Sequence, residues 1–141
     1  MTARLPFEYA DPASVQTVGF RIDLPVLLGG KSGLMQAYAM ASHAPGAYFG
    51  NNWDAFFDIL CDLRWITERE VLIAHADLPR FEGDDLRLYL ETLRDAISEW
   101  AEINRDANES GEDGPDDLPL HNLRVVFPEA QRAAVEAALG A

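Results

Sequence analysis

The sequence predicts an α/β fold in which a small, three-stranded parallel sheet packs against helices. Short apolar or alternating segments, typical of strands, are separated along the chain by longer segments with helical periodicity. Parallel strands require crossover connections between them, and these are usually helices. The chain has 141 residues, of which 48% are hydrophobic. This is the size and composition of one domain with one core.

The first quarter of the chain contains a predicted strand and a predicted helix. Residues 1–15 hold two prolines and little periodicity, so we predict an irregular lead-in to a single domain over residues 16–141. A strand is predicted at residues 18–24, because alternate apolar side chains there share one face. Residues 34–41 are rich in good helix formers, which predicts a helix with Ser32 as its N-cap.

A second helix is predicted over residues 52–63, with either Asn51 or Asn52 as its cap. Its apolar side chains recur at i, i+3, i+4, i+7 and i+10, namely Trp53, Phe56, Phe57, Leu60 and Leu63. The apolar run at residues 71–74 is short and rich in branched side chains. Such a run is typical of a strand that is buried on both faces of a parallel sheet.

The second half of the chain completes the alternation. An apolar stripe at helical spacing predicts a long helix over residues 83–104. Residues 99–117 contain eight acids and one base, which indicates a solvated acidic loop at about residues 105–119. A last strand is predicted at residues 123–127, and a terminal helix at residues 129–139.

The charge balance restricts the class of partner. The sequence contains 24 acidic and 11 basic residues, a formal net charge of −13 at pH 7. Direct binding to nucleic acid is disfavoured, because that affinity comes mainly from neutralising phosphates. Binding to anionic membrane surfaces is disfavoured for the same reason. A basic protein partner suits this charge.

Three further features bear on the compartment. The single cysteine, Cys61, leaves no intrachain disulfide, which fits a reducing compartment. The N-terminus shows no basic head followed by an apolar stretch, so no signal peptide is predicted. No apolar run approaches the roughly 20 residues that span a bilayer. We therefore expect a cytoplasmic, monomeric protein.

Patterns that often indicate catalysis are incomplete. Gly30-Lys31-Ser32 is similar to the end of a phosphate-binding loop, but Pro25 stands where that loop requires its first glycine. The three histidines are isolated and pair with no cysteine at metal-ligand spacing. No serine lies in a nucleophile-elbow context. Cys61 is interpreted as a small side chain that packs in the core. We predict neither an enzyme nor a cofactor.

The most informative pattern is acidic. Asp54, Asp58 and Asp62 fall at i, i+4 and i+8, which stacks them on one face of the predicted second helix. Like charges at this spacing cost about 0.2–0.5 kcal/mol per pair, and aspartate is unfavourable inside helices. The helix dipole favours Asp54 in the first turn, but Asp58 has no such compensation. The stripe can be a solvated face, a cation site or a contact for a basic partner.

Two considerations bear on these alternatives. Ligands about 6 Å apart along one helix converge poorly on a metal ion, which disfavours a metal-dependent enzyme. An aromatic pair, Tyr48 and Phe49, precedes the helix, and aromatic anchors beside charges suit a protein-recognition surface. By pattern alone, core positions for both rings are equally compatible with the sequence.

Residues 47–58, Ala-Tyr-Phe-Gly-Asn-Asn-Trp-Asp-Ala-Phe-Phe-Asp, resemble the signature of the barstar family, the intracellular inhibitors of barnase-type ribonucleases. That signature runs aromatic, aromatic, Gly, variable, Asn, apolar, Asp, Ala, apolar, aromatic, Asp, and every class is matched here. The order of predicted elements is also similar over about residues 16–127. The resemblance implies a three-stranded parallel sheet packed against helices. It also implies a second helix and preceding loop that plug the active site of a basic ribonuclease.

The resemblance implies roles for individual residues. Asp58 would take the place of the substrate phosphate among the enzyme's arginines and histidine, with Asp54 beside it. Tyr48 would pack on the catalytic histidine, and Asn52 would cap the helix. The predicted partner-binding residues are Tyr48, Phe49, Gly50, Asn52, Asp54, Phe57 and Asp58.

The sequence also departs from the family pattern. Phe57 stands where the family's best-known inhibitor has tryptophan, so an indole hydrogen bond is lost there. An acid from the long helix also contributes in the family, and Asp84 and Asp85 are candidates near the start of that helix. The alternative function is a barstar-like binding module that has a different partner and inhibits no ribonuclease.

Overall fold

The computed structural model describes residues 7–16, 19–26, 30–81, 83–110 and 119–140. In these residues, strands and helices follow one another in the predicted order, with one additional strand at the start. The strands are β1 (Glu8–Tyr9), β2 (Phe20–Leu24), β3 (Glu70–His75) and β4 (Asn122–Phe127). The helices are α1 (Gly30–Ala41), α2 (Trp53–Leu60), α3 (Asp85–Ser110) and α4 (Arg132–Ala138).

The strands form one parallel sheet in the order β1-β4-β3-β2. In the register of the sheet, Val71 of β3 lies between Phe20 of β2 and Leu123 of β4. Residues 71–75 are all buried, as expected for a central strand that is covered on both faces. The predicted parallel α/β fold is therefore confirmed.

The sheet has a fourth strand, which lies in the segment predicted to be an irregular lead-in. Glu8–Tyr9 pairs in parallel with β4 at the edge of the sheet. The Arg124 guanidinium donates to both carboxylate oxygens of Glu8, at 2.8 and 2.7 Å, and the ring of Phe7 lies 5.4 Å from that of Phe127. Two residues are too few to show strand periodicity, so only these contacts with β4 reveal the strand.

The boundaries of α1, α3 and α4 also differ from the prediction. α1 begins at Gly30, so Ser32 lies inside its first turn and is not its cap. α3 continues to Ser110, because the glutamate, alanine and arginine residues near its end are good helix formers despite the acidic charge. The rest of the predicted acidic loop, residues 111–118, lies outside the described residues. α4 is shorter than predicted and follows a 3-10 turn at Glu129–Gln131. No helix in the described part of the chain is long and apolar enough to cross a membrane.

An aromatic cluster joins three helices to the loop before α2. Its members are at most 1% exposed and are Tyr38, Phe49, Phe56 and Tyr89. The ring centroid of Tyr38 lies 5.1 Å from that of Phe49, 4.9 Å from that of Phe56 and 6.3 Å from that of Tyr89. The rings meet in tilted or edge-on arrangements, which are the favourable ones. The cluster fixes the inner face of α2 against the rest of the core.

A chain of buried hydrogen bonds leads from this cluster to the sheet. Nδ1 of His75 lies 3.0 Å from the carbonyl oxygen of Val126, which can only accept, so Nδ1 donates. Nε2 therefore accepts from the Tyr89 hydroxyl at 2.6 Å, and the Tyr89 oxygen accepts from the Tyr38 hydroxyl at 2.6 Å. Burial lowers the pKa of His75 to about 4. The ring is therefore neutral near pH 7, as this chain of donors requires.

We predict that His75 makes the fold less stable as the pH falls below neutrality. Folded His75 stays neutral down to about pH 4, whereas an unfolded histidine binds a proton near pH 6.5. This stability is fully present above pH 6.5 and is lost as the pH falls towards 4, by at most about 3 kcal/mol.

Urea unfolding at several pH values measures this contribution. His75→Gln should reduce the slope of unfolding free energy against pH between 6 and 5, where one proton separates the two states. His43 is exposed, so His43→Gln is the matched control for the removal of a histidine side chain. Identical slopes in the original protein and His75→Gln would contradict the prediction.

Candidate functional site

The candidate site is built on α2 and on the loop that precedes it. Asn52 has an extended backbone, and its Oδ1 accepts a hydrogen bond from the Ala55 amide at 2.8 Å. Asn52 is therefore the N-cap, one of the two predicted possibilities. α2 begins at Trp53 and has Asp54 in its first turn, where the helix dipole stabilises a negative charge.

The two faces of α2 differ sharply in exposure. Phe56 and Leu60 are buried, whereas Asp54 and Asp58 are exposed. Among the described residues, no ion pair involves either of these carboxylates. Two like charges one turn apart repel each other. They therefore gain most from a cationic partner outside the chain.

The third acid of the predicted stripe, Asp62, does not lie on the helix. α2 ends at Leu60, three residues earlier than predicted, with Cys61 as its C-cap. Leu63 is fully buried and has a positive φ of 47°, so the chain turns towards the core. Asp62 instead pairs with Arg64 at 3.0 Å. Burial of Leu63 ends the helix here, and periodicity alone does not reveal that turn.

A groove of about 460 Å³ separates α2 from α3. We call it the acidic groove, because Asp54 and Asp58 of α2 and Glu91 and Asp95 of α3 all line it. The remaining lining residues are Trp53, Phe57, Leu88 and Thr92. Half-buried Phe57, a predicted partner-binding residue, thus forms part of the apolar surface between these carboxylates. The groove combines a negative rim with aromatic side chains, which is a favourable environment for a guanidinium or ammonium group.

The α3 carboxylates of the groove have weak partners on their own helix. Glu91 lies 2.8 Å from Arg87 and 3.9 Å from Arg94, and Asp95 lies 3.7 Å from Arg94. These side chains are about one-third exposed or more, and ion pairs at such positions contribute about 0–1 kcal/mol. They present little obstacle to a better-placed external cation.

Glu91 and Asp95, and not the predicted Asp84 or Asp85, lie beside the acids of α2. Asp84 is 80% exposed and lies 3.7 Å from Arg87, and Asp85 accepts a hydrogen bond from the Trp53 indole at 3.3 Å. The i, i+4 spacing of Glu91 and Asp95 was visible in the sequence. Acids flank the apolar stripe of α3 on both sides, however, and only the packing of α2 shows which side faces the site.

Tyr48 and Phe49 have opposite environments in residues 46–51, which we call the Tyr48 loop. The Tyr48 residue is 53% exposed, whereas Phe49 is 1% exposed. The Phe49 ring lies 5.5 Å from Phe56 and 6.1 Å from Trp65. The core interpretation is therefore correct for Phe49, which is inaccessible to a partner and anchors the loop. Tyr48 remains available for contact.

The backbone of the Tyr48 loop needs unusual conformations. Gly46, Ala47 and Gly50 have positive φ angles of 67°, 52° and 105°. At Gly50 a Cβ atom would lie 2.9 Å from the backbone nitrogen of Phe56. Glycine is therefore required at this position for two reasons, its conformation and the close approach of the loop to α2.

The surroundings of Cys61 confirm its assignment as a packed side chain. Burial raises the pKa of the thiol to about 12, with further contributions from the negative charges of Glu99, Asp58 and Asp95. The thiol is thus protonated near pH 7 and packs against the core. Its raised pKa also reflects the negative potential around the acidic groove.

The other two histidines, His43 and His121, differ in burial. His43 is exposed, and His121 is buried with its ring nitrogens 2.8 and 3.0 Å from the carbonyl oxygens of Glu68 and Leu63. Within the described ranges, no group of three His, Cys, Asp or Glu side chains is placed to hold a metal ion.

Comparison with protein-family models matches residues 20–111 to the family described as Barstar (barnase inhibitor). No curated protein and no solved structure matches the chain. The matched segment covers more than half of the chain, and it includes the Tyr48 loop, α2 and α3. The protein, with its parallel sheet, its capped acidic helix and its exposed loop tyrosine, therefore belongs to the barstar family.

Proposed function

We propose that this protein inhibits a basic ribonuclease by occupying its active site with α2 and the Tyr48 loop. The observation that supports the proposal most is the pair of exposed carboxylates of Asp54 and Asp58. They form no ion pair with a described residue and lie on the helix that follows the loop of the exposed Tyr48. Membership of a family of barnase inhibitors supports a protein partner of this kind.

The inhibition rests on mimicry of RNA phosphates. A ribonuclease must hold phosphates with cationic side chains, and arginine binds carboxylates with the same paired hydrogen bonds that it offers to phosphates. Asp58 takes the position of the phosphate at the reaction centre, and Asp54, one turn away, binds beside it. Because these groups lie on a helix, their positions are fixed before binding, which lowers the entropy cost of association.

Tyr48 supplies the apolar contact next to these charges. Its ring packs on the imidazole of the enzyme's catalytic histidine, and aromatic anchors of this kind often dominate binding energy. Phe49 and Gly50 act indirectly, because one anchors the loop and the other lets it approach α2. Asn52 acts as the cap that starts α2 at the required position.

The acidic groove extends the contact towards α3. A cationic side chain of the enzyme that enters the groove meets Glu91 and Asp95 as well as the acids of α2. Phe57 offers it an aromatic surface but no hydrogen-bond donor, in contrast to a tryptophan. The net charge of −13 adds long-range attraction, which makes association with a basic enzyme fast and sensitive to salt.

Removal of the Asp58 carboxylate tests the proposal directly. With a purified barnase-type ribonuclease and an RNA-cleavage assay, Asp58→Ala should raise the inhibition constant at least about 30-fold, the effect of a buried charge at the centre of an interface. Asp106 is an exposed acid far along α3. Asp106→Ala removes the same charge and should change the constant less than about 3-fold.

Three outcomes distinguish the candidate functions. No inhibition by the unchanged protein, across a set of basic ribonucleases, would leave the binding module as the better description; the loss of the indole at Phe57 favours that second candidate. Inhibition that Asp58→Ala leaves intact would place the contact on another surface. Selective loss in Asp58→Ala supports the proposal.

The α3 acids provide a second prediction. Asp95→Asn should weaken inhibition about 3- to 10-fold, because it removes a charge at the rim of the contact, and the loss should lie partly in the association rate. Asp84→Asn removes an exposed charge from the turn just before α3, outside the groove, and should have little effect. A larger loss for Asp84→Asn would contradict the assignment of the groove.

A third prediction concerns the position of the Tyr48 loop. Gly50→Ala places a methyl group 2.9 Å from the Phe56 nitrogen, which should displace the loop and weaken inhibition at least about 10-fold. Gly46→Ala is the matched control, because it also imposes alanine at a positive φ but meets no atom within 4 Å. It should lower stability by about 1 kcal/mol and retain most inhibition. Equal inhibition by the two variants would contradict the role of Gly50.

A further inference from the structure

We propose that a second cleft, between α1 and the Tyr48 loop, binds an acidic side chain of the same protein partner. The proposal rests on the proposed function, and it adds to the contact surface a region whose polarity is opposite to that of the acidic groove. The cleft has a volume of about 350 Å³. Its lining residues are Lys31, Ser32, Met35, Gln36, Ala47, Tyr48, Phe49, Gly50 and Asn51. None of these carries a carboxylate.

Lys31 is the only lysine in the sequence, and it is half-buried in this cleft. It forms no ion pair or hydrogen bond with a described residue, although the chain contains 24 acids. Most arginines, by contrast, pair with carboxylates of the same chain, namely Arg21, Arg64, Arg87, Arg94, Arg105, Arg124 and Arg132. The Lys31 ammonium is therefore available to an external anion.

The other polar side chains of the cleft are also donors. The Oδ1 atom of Asn51 already accepts a hydrogen bond from Nδ2 of the Asn52 side chain at 3.1 Å. This leaves Nδ2 of Asn51 to donate. Ser32 and Gln36 are exposed and can donate as well. Met35 and Phe49 provide an apolar floor that excludes water. A cation surrounded by donors, above an apolar floor, suits the carboxylate of Asp or Glu.

The Tyr48 loop connects the two clefts along the chain. Tyr48 lines the cleft that contains Lys31, and the loop that carries it leads directly into α2 and the acidic groove. A partner that contacts both clefts must therefore present a cationic group to the acidic groove and an acidic group to the cleft at Lys31. Docking in the reverse orientation would place like charges against each other, which costs several kcal/mol. The opposite charges of the two clefts therefore select one orientation of the partner.

Charge reversal at Lys31 tests this cleft. Lys31→Glu should weaken inhibition of the ribonuclease at least about 30-fold, and Lys31→Gln about 5- to 10-fold. Arg105, an exposed arginine on α3, provides the control. Arg105→Glu makes the same change in net charge and should bind equally well or slightly better, because a more negative protein is attracted more strongly to a basic enzyme. Weaker inhibition by Lys31→Glu would therefore be opposite to the change expected from net charge alone.

A compensating change identifies the contact. One Asp or Glu on the ribonuclease, changed to Lys, should restore binding to Lys31→Glu and weaken binding to the unchanged protein. Urea unfolding checks that both Lys31 variants fold. Inhibition equal to that of Arg105→Glu would overturn the cleft while the proposed function stands. If the unchanged protein also fails to inhibit the ribonuclease, both the cleft and the proposed function are overturned.

A titration of the free protein separates a side-chain carboxylate from a small anion. Inorganic phosphate at millimolar concentration should leave the backbone amide signals of Lys31 and Asn51 unchanged in a heteronuclear NMR spectrum. A saturable shift of both signals would show a site for free anions, and would overturn the assignment to a carboxylate of the protein partner.

Discussion

The buried ring of Phe49 connects the candidate site to the core of the protein. It packs between Tyr38 of α1, Phe56 of α2 and Trp65. Because the ring is held on three sides, the backbone on both sides of it is fixed. The exposed Tyr48 and the close approach of Gly50 to α2 both depend on this anchor. A partner therefore meets a preformed surface and need not order a loop.

The same cluster fixes the relation between the loop and the distant acids of α3. Tyr38 touches Phe49 at one end and donates a hydrogen bond to Tyr89 of α3 at the other, and Tyr89 in turn donates to His75. Every polar side-chain atom in this series of hydrogen bonds has a partner. Buried hydrogen bonds that are fully satisfied specify a unique arrangement. The acidic groove depends on this arrangement, since its two walls belong to helices that are far apart in the sequence.

The charged residues of the protein have different roles. Glu102 of α3 lies outside the acidic groove, pairs with the neighbouring Arg105, and contributes mainly solubility and long-range attraction. Asp54 and Asp58 have no such partners among the described residues and lie beside an aromatic loop, which makes them the centre of the proposed contact. Lys31 adds a local charge of opposite sign. Net charge thus favours a basic partner, while the arrangement of a few charges selects its orientation.

Much of this architecture could be predicted from local patterns. The alternation of elements predicts a parallel sheet, and the buried run of β3 confirms it. The segment at residues 47–58 shows the family and the start of α2. Longer-range features could not be predicted in this way. The two-residue strand Glu8–Tyr9 is too short to show periodicity, and Asp62 leaves the stripe because a buried Leu63 turns the chain.

By itself, the sequence determined the α/β fold class, the family and the presence of paired acids beside an aromatic loop, since these features reside in neighbouring residues. The tertiary structure alone decided which aromatic side chain is exposed, Tyr48, and which is an anchor, Phe49. It also decided that Glu91 and Asp95, rather than Asp84 or Asp85, complete the acidic groove. The physical reason is that burial and proximity between elements depend on how the helices pack, and no local pattern contains that information.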